Sequence, residues 1–433
     1  MTDLAFLNRP VLHLRPDPTR VVVRPFRMAV EPRHLNLPDG SRTDRIVKRI
    51  LALDAEHAAQ ILKDVLDSFD GRHRNLIATC ERRAEDMQDI LDRRGPVSLT
   101  QKRLVGAYFL HEFSFEAAAL FNPSIVPHPD QTGAPSGGIR FILSLRAVGE
   151  GHLSTLTFRS GMIDAAGVVS IDQTARLATA ANIVSRQAER GGEAVTVAFQ
   201  SVGDISERVI FPVTEAQSNG IEDARFVYLE DGPNSKYCAT YTAFNGRSIR
   251  SEMIETTDFV SFRLRPLTGD AAENKGMALF PRKFDGRYAM VARQDNENLH
   301  VLYSHDLYHW EGANVILQPA FPWEFVQLGT CGAPIELDEG WLLFTHGVGA
   351  VRRYTIGAAL LDKHDPSRVI ARLREPLVRP APSEREGYVP NVVYSCGGLR
   401  HGDGIVLPYA LSDSYCCIAT METARLLAAM EAV

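Results

Sequence analysis

Residues 340–369 read GWLLFTHGVGAVRRYTIGAALLDKHDPSRV. An apolar run, WLLFTHGV, meets a short turn with a glycine and two arginines. A second run, YTIGAALL, follows and closes on an Asp-containing turn. Runs this short, bounded by turn residues, read as two strands of a hairpin and not as a helix. Four other stretches repeat the plan: RFILSLRAVGEGHLSTLTFRSGMIDAAG at 140–167, SKYCATYTAFNGRSIRSEMIETTDFVSF at 235–262, GRYAMVARQDNENLHVLYSHDLYHW at 286–310 and DGIVLPYALSDSYCCIATMETARL at 403–426. The units recur at roughly 50–60 residues, an interval that indicates internal repeats. Strand-rich repeats of this length predict a β-propeller, whose four-stranded blades surround a central channel. Five units predict five blades. Residues from about 164 to 218 interrupt the period as one long insertion, of the kind that builds or lids a binding site when it lies on one propeller face.

Upstream the pattern changes. Between Ser41 and Phe121 apolar residues recur at three- and four-residue steps, as in Ile46, Val47, Ile50 and Leu51, then Ala58, Ile61, Leu62 and Val65. Asp54 is placed to cap one helix; Asp70-Gly71 and Gly95-Pro96 interrupt the pattern, and Ser98 opens a last helix read through to Phe121. The expected architecture is therefore mainly β: a five-bladed β-propeller over residues 121–433, with an N-terminal segment and α-helical extension over 1–120 of at most four helices.

Composition narrows the function classes. The 433 residues are 45% hydrophobic with a formal charge of −6, which argues against nucleic acid or an anionic membrane as partner. No apolar stretch approaches the roughly 18 residues of a membrane span, and the N-terminus lacks a basic, then apolar, leader. The six cysteines are scattered without a CxxC or zinc spacing, so neither a disulfide framework nor a metal site is expected. A cytoplasmic enzyme without organic cofactor or metal is the expectation. The helical extension either covers one propeller mouth or forms a subunit interface, which leaves a homo-oligomer open.

The residues with the clearest chemical meaning are Gly220-Ile221-Glu222-Asp223-Ala224-Arg225-Phe226, adjacent carboxylates beside an arginine at a strand entry. After them come Asn274-Lys275-Gly276-Met277-Ala278-Leu279-Phe280-Pro281, then Thr345-His346-Gly347-Val348, Ala359-Leu360-Leu361-Asp362, Val389-Pro390-Asn391-Val392-Val393-Tyr394 and Tyr409-Ala410-Leu411-Ser412-Asp413. In this order they resemble glycoside hydrolase family 130, the β-mannoside phosphorylases and β-1,2-mannosidases built on five-bladed propellers. The resemblance runs from about residue 115 to the C-terminus.

The resemblance implies roles. Asp223 corresponds to the general acid. Arg146, Lys275 and Arg293 correspond to the cations that hold phosphate, since inorganic phosphate, a co-substrate, supplies the nucleophile and the protein must supply its counter-charge. Asn122, Arg140, Glu222, Arg225, His346, Asn391, Tyr409 and Asp413 are expected to bind the β-mannoside oligosaccharide. The implied activity is inverting phosphorolysis of β-mannosides to α-mannose 1-phosphate. The chain departs from the family pattern in four places: Ala224 replaces a proline, Gly276 an acid, Ala292 a histidine before Arg293, and Thr345 a tyrosine. Hydrolytic members have lost basic residues here, so an inverting β-1,2-mannosidase stays open as the alternative. It requires a second carboxylate to activate water, with Glu222, Glu324, Glu336 and Asp413 as candidates. His152 and Ser154 are candidates to stand in for the absent histidine. A non-catalytic glycan-binding propeller is a third reading.

Overall fold

The computed structural model describes residues 6–9, 12–26, 28–29, 31, 40–200 and 203–433. The remaining positions of the N-terminal segment, and two within the insertion, lie outside the described residues. The chain divides into two compact units: residues 19–114 with 176–180, and residues 1–18, 115–175 and 181–433.

The smaller unit is helical with one two-stranded sheet. Its helices are Arg42–Leu51, Ala55–Ser68, Leu76–Glu85, Gln88–Asp92 and Leu99–Tyr108. Ser41 and Asp44 cap the first reciprocally, Asp54 caps the second through the His57 N–H, and Ser98 with Gln101 caps the last. The helical faces close on Val47, Ile50, Leu62, Ala84, Leu91, Leu104 and Val105. Two expectations need correction. There are five helices among the described residues of this unit, not at most four, because the third stretch breaks at Asp86-Met87. The last helix stops at Tyr108 instead of running to Phe121. Leu110–Ser114 is a strand, antiparallel to the valine-rich Val21–Pro25, and Ala119–Pro127 is a strand buried along almost its whole length. Helix propensity at residues 119–121 is overridden by this two-sided burial, while Ala117 and Ala118 lie in an exposed bend before the strand.

The larger unit is a succession of antiparallel meanders. All five sequence-read strand pairs are present: Ile139–Val148 with Ser154–Ile163, Lys236–Phe244 with Ile249–Thr256, Tyr288–Ala292 with Leu299–Ser304, Trp341–Val348 with Tyr354–Leu361, and Gly404–Leu411 with Tyr415–Glu422. Each pair is preceded by a further strand of its meander: Ala119–Pro127, Gly220–Leu229, Ala278–Leu279, Gln327–Thr330 and Val393–Tyr394. The insertion is not structureless. Its strands Asn182–Glu189 and Gly192–Ala198 extend the second meander beyond Ser261–Pro266. The first two meanders meet through a parallel bridge between Ser154 and Gly220. Gly220 is at φ 153°, and a Cβ there would lie 2.7 Å from the Ser154 Cβ, so only glycine permits the approach. Mainly apolar faces of neighbouring meanders form the cores, as in the Phe158, Phe226, Phe259 and Phe262 cluster. The six cysteines are buried and unbridged, as small hydrophobes. No helix among the described residues is long and apolar enough to cross a membrane.

Candidate active site

A cavity of about 490 Å³ opens in the larger unit, and each of the five meanders contributes residues to its lining. Asn122 comes from the first, Glu222, Asp223 and Arg225 from the second, and Lys275 lies just ahead of the third. Gln327 and Thr330 come from the fourth and Tyr394 from the fifth. Arg146 and His346 are added by second strands of meanders, and Arg293, Arg352 and Asp413 by the turns that follow second strands.

In a regular strand neighbouring side chains point to opposite faces, so Glu222 and Asp223 could not both line one cavity. The register against Lys236–Phe244 shifts between Glu222 and Arg225, and Asp223 sits at φ 57°. This bulge turns the acid inward. The first strand has the same device: its register shifts between Phe121 and Ser124, with Asn122 at φ 50°. The two left-handed residues meet, the Asn122 Nδ2 donating to Asp223 Oδ1 at 2.6 Å. Strain of this kind is retained where the surrounding structure holds it, characteristically at functional sites.

Around the acid pair the charges are tightly placed. Arg146 donates to Glu222 Oε1 at 2.7 Å and to Asp223 Oδ1 at 3.3 Å, while its Nε donates to Ser154 Oγ at 2.9 Å. Arg225 donates to the Asp223 carbonyl at 3.1 Å and to the Tyr394 hydroxyl at 2.7 Å. Burial by itself pushes Asp223 upward, but Arg146, Arg225, Lys275 and the Asn122 bond together outweigh it and hold the carboxyl below its ordinary range. Burial prevails at Glu222, which is raised despite Arg146. It also prevails at Asp413, pushed up to about 7 against the attraction of Arg146.

Not every lining cation has a carboxylate partner. Arg293 is buried, and among the described residues its Nε has no hydrogen-bond acceptor and no carboxylate lies within ion-pair distance; burial lowers its pKa. The Lys275 ammonium, too, has no carboxylate at ion-pair distance among the described residues. His346 lies between the Tyr354 and Tyr394 rings at 5.8 and 4.8 Å. Burial, then Arg293 and Arg225, holds it well below the ordinary histidine range, hence neutral. A Cβ on Gly329 would lie 2.1 Å from the His346 ring, so that glycine makes room for the imidazole. Counting Arg146, Arg225, Lys275, Arg293 and Arg352 against Glu222, Asp223 and Asp413 leaves a formal excess of two positive charges in the lining.

Of the residues expected from sequence, Asn122, Arg146, Glu222, Asp223, Arg225, Lys275, Arg293, His346 and Asp413 converge here. Three do not. Arg140 is six residues before Arg146 on the same strand, roughly 20 Å away at strand rise, and donates to the Asp130 and Thr132 carbonyls. Tyr409 points into the apolar core with Phe344 and Leu407, and its hydroxyl accepts from Arg9 Nε at 2.7 Å. Asn391 turns the backbone at φ 63° and gives its carbonyl to the Tyr354 N–H, while Val389 and Val392 line the cavity instead. Arg146, expected to hold phosphate, is ion-paired with both acids. Among the candidate bases, Glu324 is buried against Arg372 at 2.7 Å and Glu336 is paired with Arg282 at 3.0 Å, both outside the cavity. Ser154 supports Arg146, and His152 meets the Tyr388 hydroxyl at 2.9 Å. Arg352 and Tyr354 carry no motif signal, and Tyr394 ends the motif at 389–394.

Residues 202–432, just over half the chain, match the glycoside hydrolase family 130 model, described as β-1,4-mannooligosaccharide phosphorylase. The match begins later than residue 115, so Asn122, Arg140 and Arg146 fall outside it. The chain is 35% identical over 214 residues to a 1,2-β-oligomannan phosphorylase of Thermoanaerobacter sp. (strain X514), spanning 48% of this chain and 70% of that protein. It is 29% identical over 237 residues to a β-1,4-mannooligosaccharide phosphorylase of Ruminococcus albus, spanning 50% and 68%. In fold it is similar to a solved protein described among family 130 glycoside hydrolases that target β-1,2-mannosidic linkages in Candida mannan. That likeness has a TM-score of 0.53 at 20% identity and covers 72% of this chain and 87% of the other. With its motif strands converging on one cavity and a family match over more than half its length, the chain belongs to glycoside hydrolase family 130.

Proposed function

We propose that the cavity performs inverting phosphorolysis of β-mannosides, yielding α-mannose 1-phosphate, with inorganic phosphate as co-substrate and no organic cofactor. The observation that carries this reading is the pair of unpartnered cations, Arg293 and Lys275, facing a cavity with excess positive charge. A buried guanidinium without counter-charge is costly unless an anion completes it. A phosphate dianion matches the excess, with arginine binding through its planar fork and lysine as a point charge.

Asp223 is the proton donor to the glycosidic oxygen, and Asn122 fixes its carboxyl. In the empty site the surrounding cations keep that carboxyl ionised. Phosphate arriving on those cations offsets them and raises the affinity of Asp223 for a proton, so the nucleophile helps to load its own acid catalyst. Phosphate oxygen then attacks C1 from the opposite face as the C1–O bond breaks and the proton moves to the leaving oxygen. Glu222, Asp413 and neutral His346 are left for sugar hydroxyls. The five meanders, each contributing residues to one cavity, support a five-bladed propeller with the site at the mouth of its channel. The relatives' printed substrates support β-1,2- or β-1,4-linked mannosides.

A second reading rests on Asp413. A cavity carboxylate pushed to about 7 has the strength of a general base near neutrality, and an inverting hydrolase needs one to activate water.

Arg293→Met separates the two. Removing a buried charge-assisted contact to phosphate is expected to raise the KM for phosphate by at least about 100-fold and leave the mannoside KM within about threefold. The variant is also expected to be more heat-stable, because a buried unpaired charge is gone. An unchanged phosphate KM in steady-state kinetics removes the anion site from this cavity and favours the hydrolase.

A further inference from the structure

The same turn occurs twice in the larger unit. Gly149–Leu153 links Ile139–Val148 to Ser154–Ile163, and Gly349–Arg353 links Trp341–Val348 to Tyr354–Leu361. Gly149 is at φ −107°, ψ −159° and Gly349 at φ −107°, ψ −162°. Each donates its N–H across the turn, to Leu153 O at 3.1 Å and Arg353 O at 3.0 Å. Two left-handed residues follow in both: Gly151 and His152 at φ 65° and 59°, Val351 and Arg352 at φ 56° and 52°.

The difference lies in what occupies the left-handed pair. The first turn uses glycine, which meets no penalty there. The second uses valine, a β-branched residue for which positive φ is an outlier, and Val351 is 91% exposed, so burial returns nothing for the strain. The strained turn delivers Arg352 into the cavity lining. No carboxylate lies within ion-pair distance of its guanidinium among the described residues, and its contact is the Tyr354 ring, 5.9 Å from the centroid. His152, at the equivalent place, is instead engaged by the Tyr388 hydroxyl.

We propose that Arg352 is a third phosphate-binding cation, presented by this strained turn beside Arg293 and Lys275. The assignment rests on the phosphorylase reading and deepens it. Arg352, from the turn after Trp341–Val348, and Arg293, just after Tyr288–Ala292, both line the cavity, so turns of two repeats each contribute an arginine to it. It also supplies positive charge that the sequence motifs did not account for.

The test uses the full chain, with inorganic phosphate as probe. Arg352→Gln is expected to raise the phosphate KM about 10- to 100-fold, the worth of one charged hydrogen bond, with the mannoside KM within twofold. The rise in thermal midpoint caused by phosphate should shrink in Arg352→Gln and recover in part in Arg352→Lys, while the midpoint without phosphate stays put. If wild type responds to phosphate and Arg352→Gln responds equally, the Arg352 assignment is wrong and the phosphorylase reading stands. A raised mannoside KM instead makes Arg352 a sugar ligand and overturns the proposal. If phosphate neither stabilises wild type nor supports turnover, the phosphorylase reading fails and takes this proposal with it.

Discussion

Asp223→Asn is expected to lower turnover by about 10²–10⁴-fold, the usual contribution of a positioned general acid. The replacement keeps the shape of the side chain, and its amide oxygen can still accept from Asn122, so the bulge and the cavity persist. What disappears is the transferable proton. The same change removes a negative charge from beside Arg146, Arg225 and Lys275. Phosphate should therefore bind at least as tightly as to wild type, while the rate collapses. Parallel measurement of kcat and phosphate Kd checks both arms. This pairing distinguishes the acid from Arg293, whose loss weakens phosphate first. A glycan-binding protein without turnover would show neither effect, and full activity in Asp223→Asn would place the proton donor elsewhere.

Asp413→Asn is expected to stabilise the fold in a pH-dependent way. Burial pushes the Asp413 carboxyl to about 7, against an ordinary value of 3.8. Between those values the folded chain keeps a proton that the unfolded chain has released, so stability falls as pH rises through that window. Above about 7 the ionised carboxylate carries its whole cost, on the order of 4 kcal/mol at most. Asparagine avoids it. The variant should match wild type in urea midpoint near pH 4 and exceed it at pH 8. A gain independent of pH, or a loss at pH 8, would show that Asp413 is not held protonated by burial. Wild type retains this destabilising acid in its cavity, consistent with stability exchanged for function.

Much of the architecture was legible because two-residue alternation and turn chemistry are local. All five strand pairs fall where the apolar runs place them, and Asp223, Lys275, Arg293 and His346 share a cavity as their motifs imply. The failures have physical causes. Arg140 and Tyr409 carried suitable chemistry, but strand rise carried one away along its strand and alternation turned the other into the core. The ion pairs of Arg146 with Glu222 and Asp223 were not legible, because charge is visible in sequence and its partners are not. That both Glu222 and Asp223 face inward depends on a bulge, which no spacing rule announces. Arg352 was hidden in a turn whose valine argues against the conformation it adopts. The helical pattern extends to Phe121 because Ala117, Ala118 and Ala119 favour helix locally, whereas burial on both faces makes residues 119–121 the start of a strand.

The central claim is that phosphate, and not water, attacks the mannoside. Purified protein incubated with β-1,2- and β-1,4-mannobiose, with and without inorganic phosphate, tests it by product analysis. The account predicts α-mannose 1-phosphate in amounts that depend on added phosphate, and no free mannose from the non-reducing end without it. Release of that mannose at equal rates with and without phosphate would contradict it and assign the nucleophile to water activated in the same cavity.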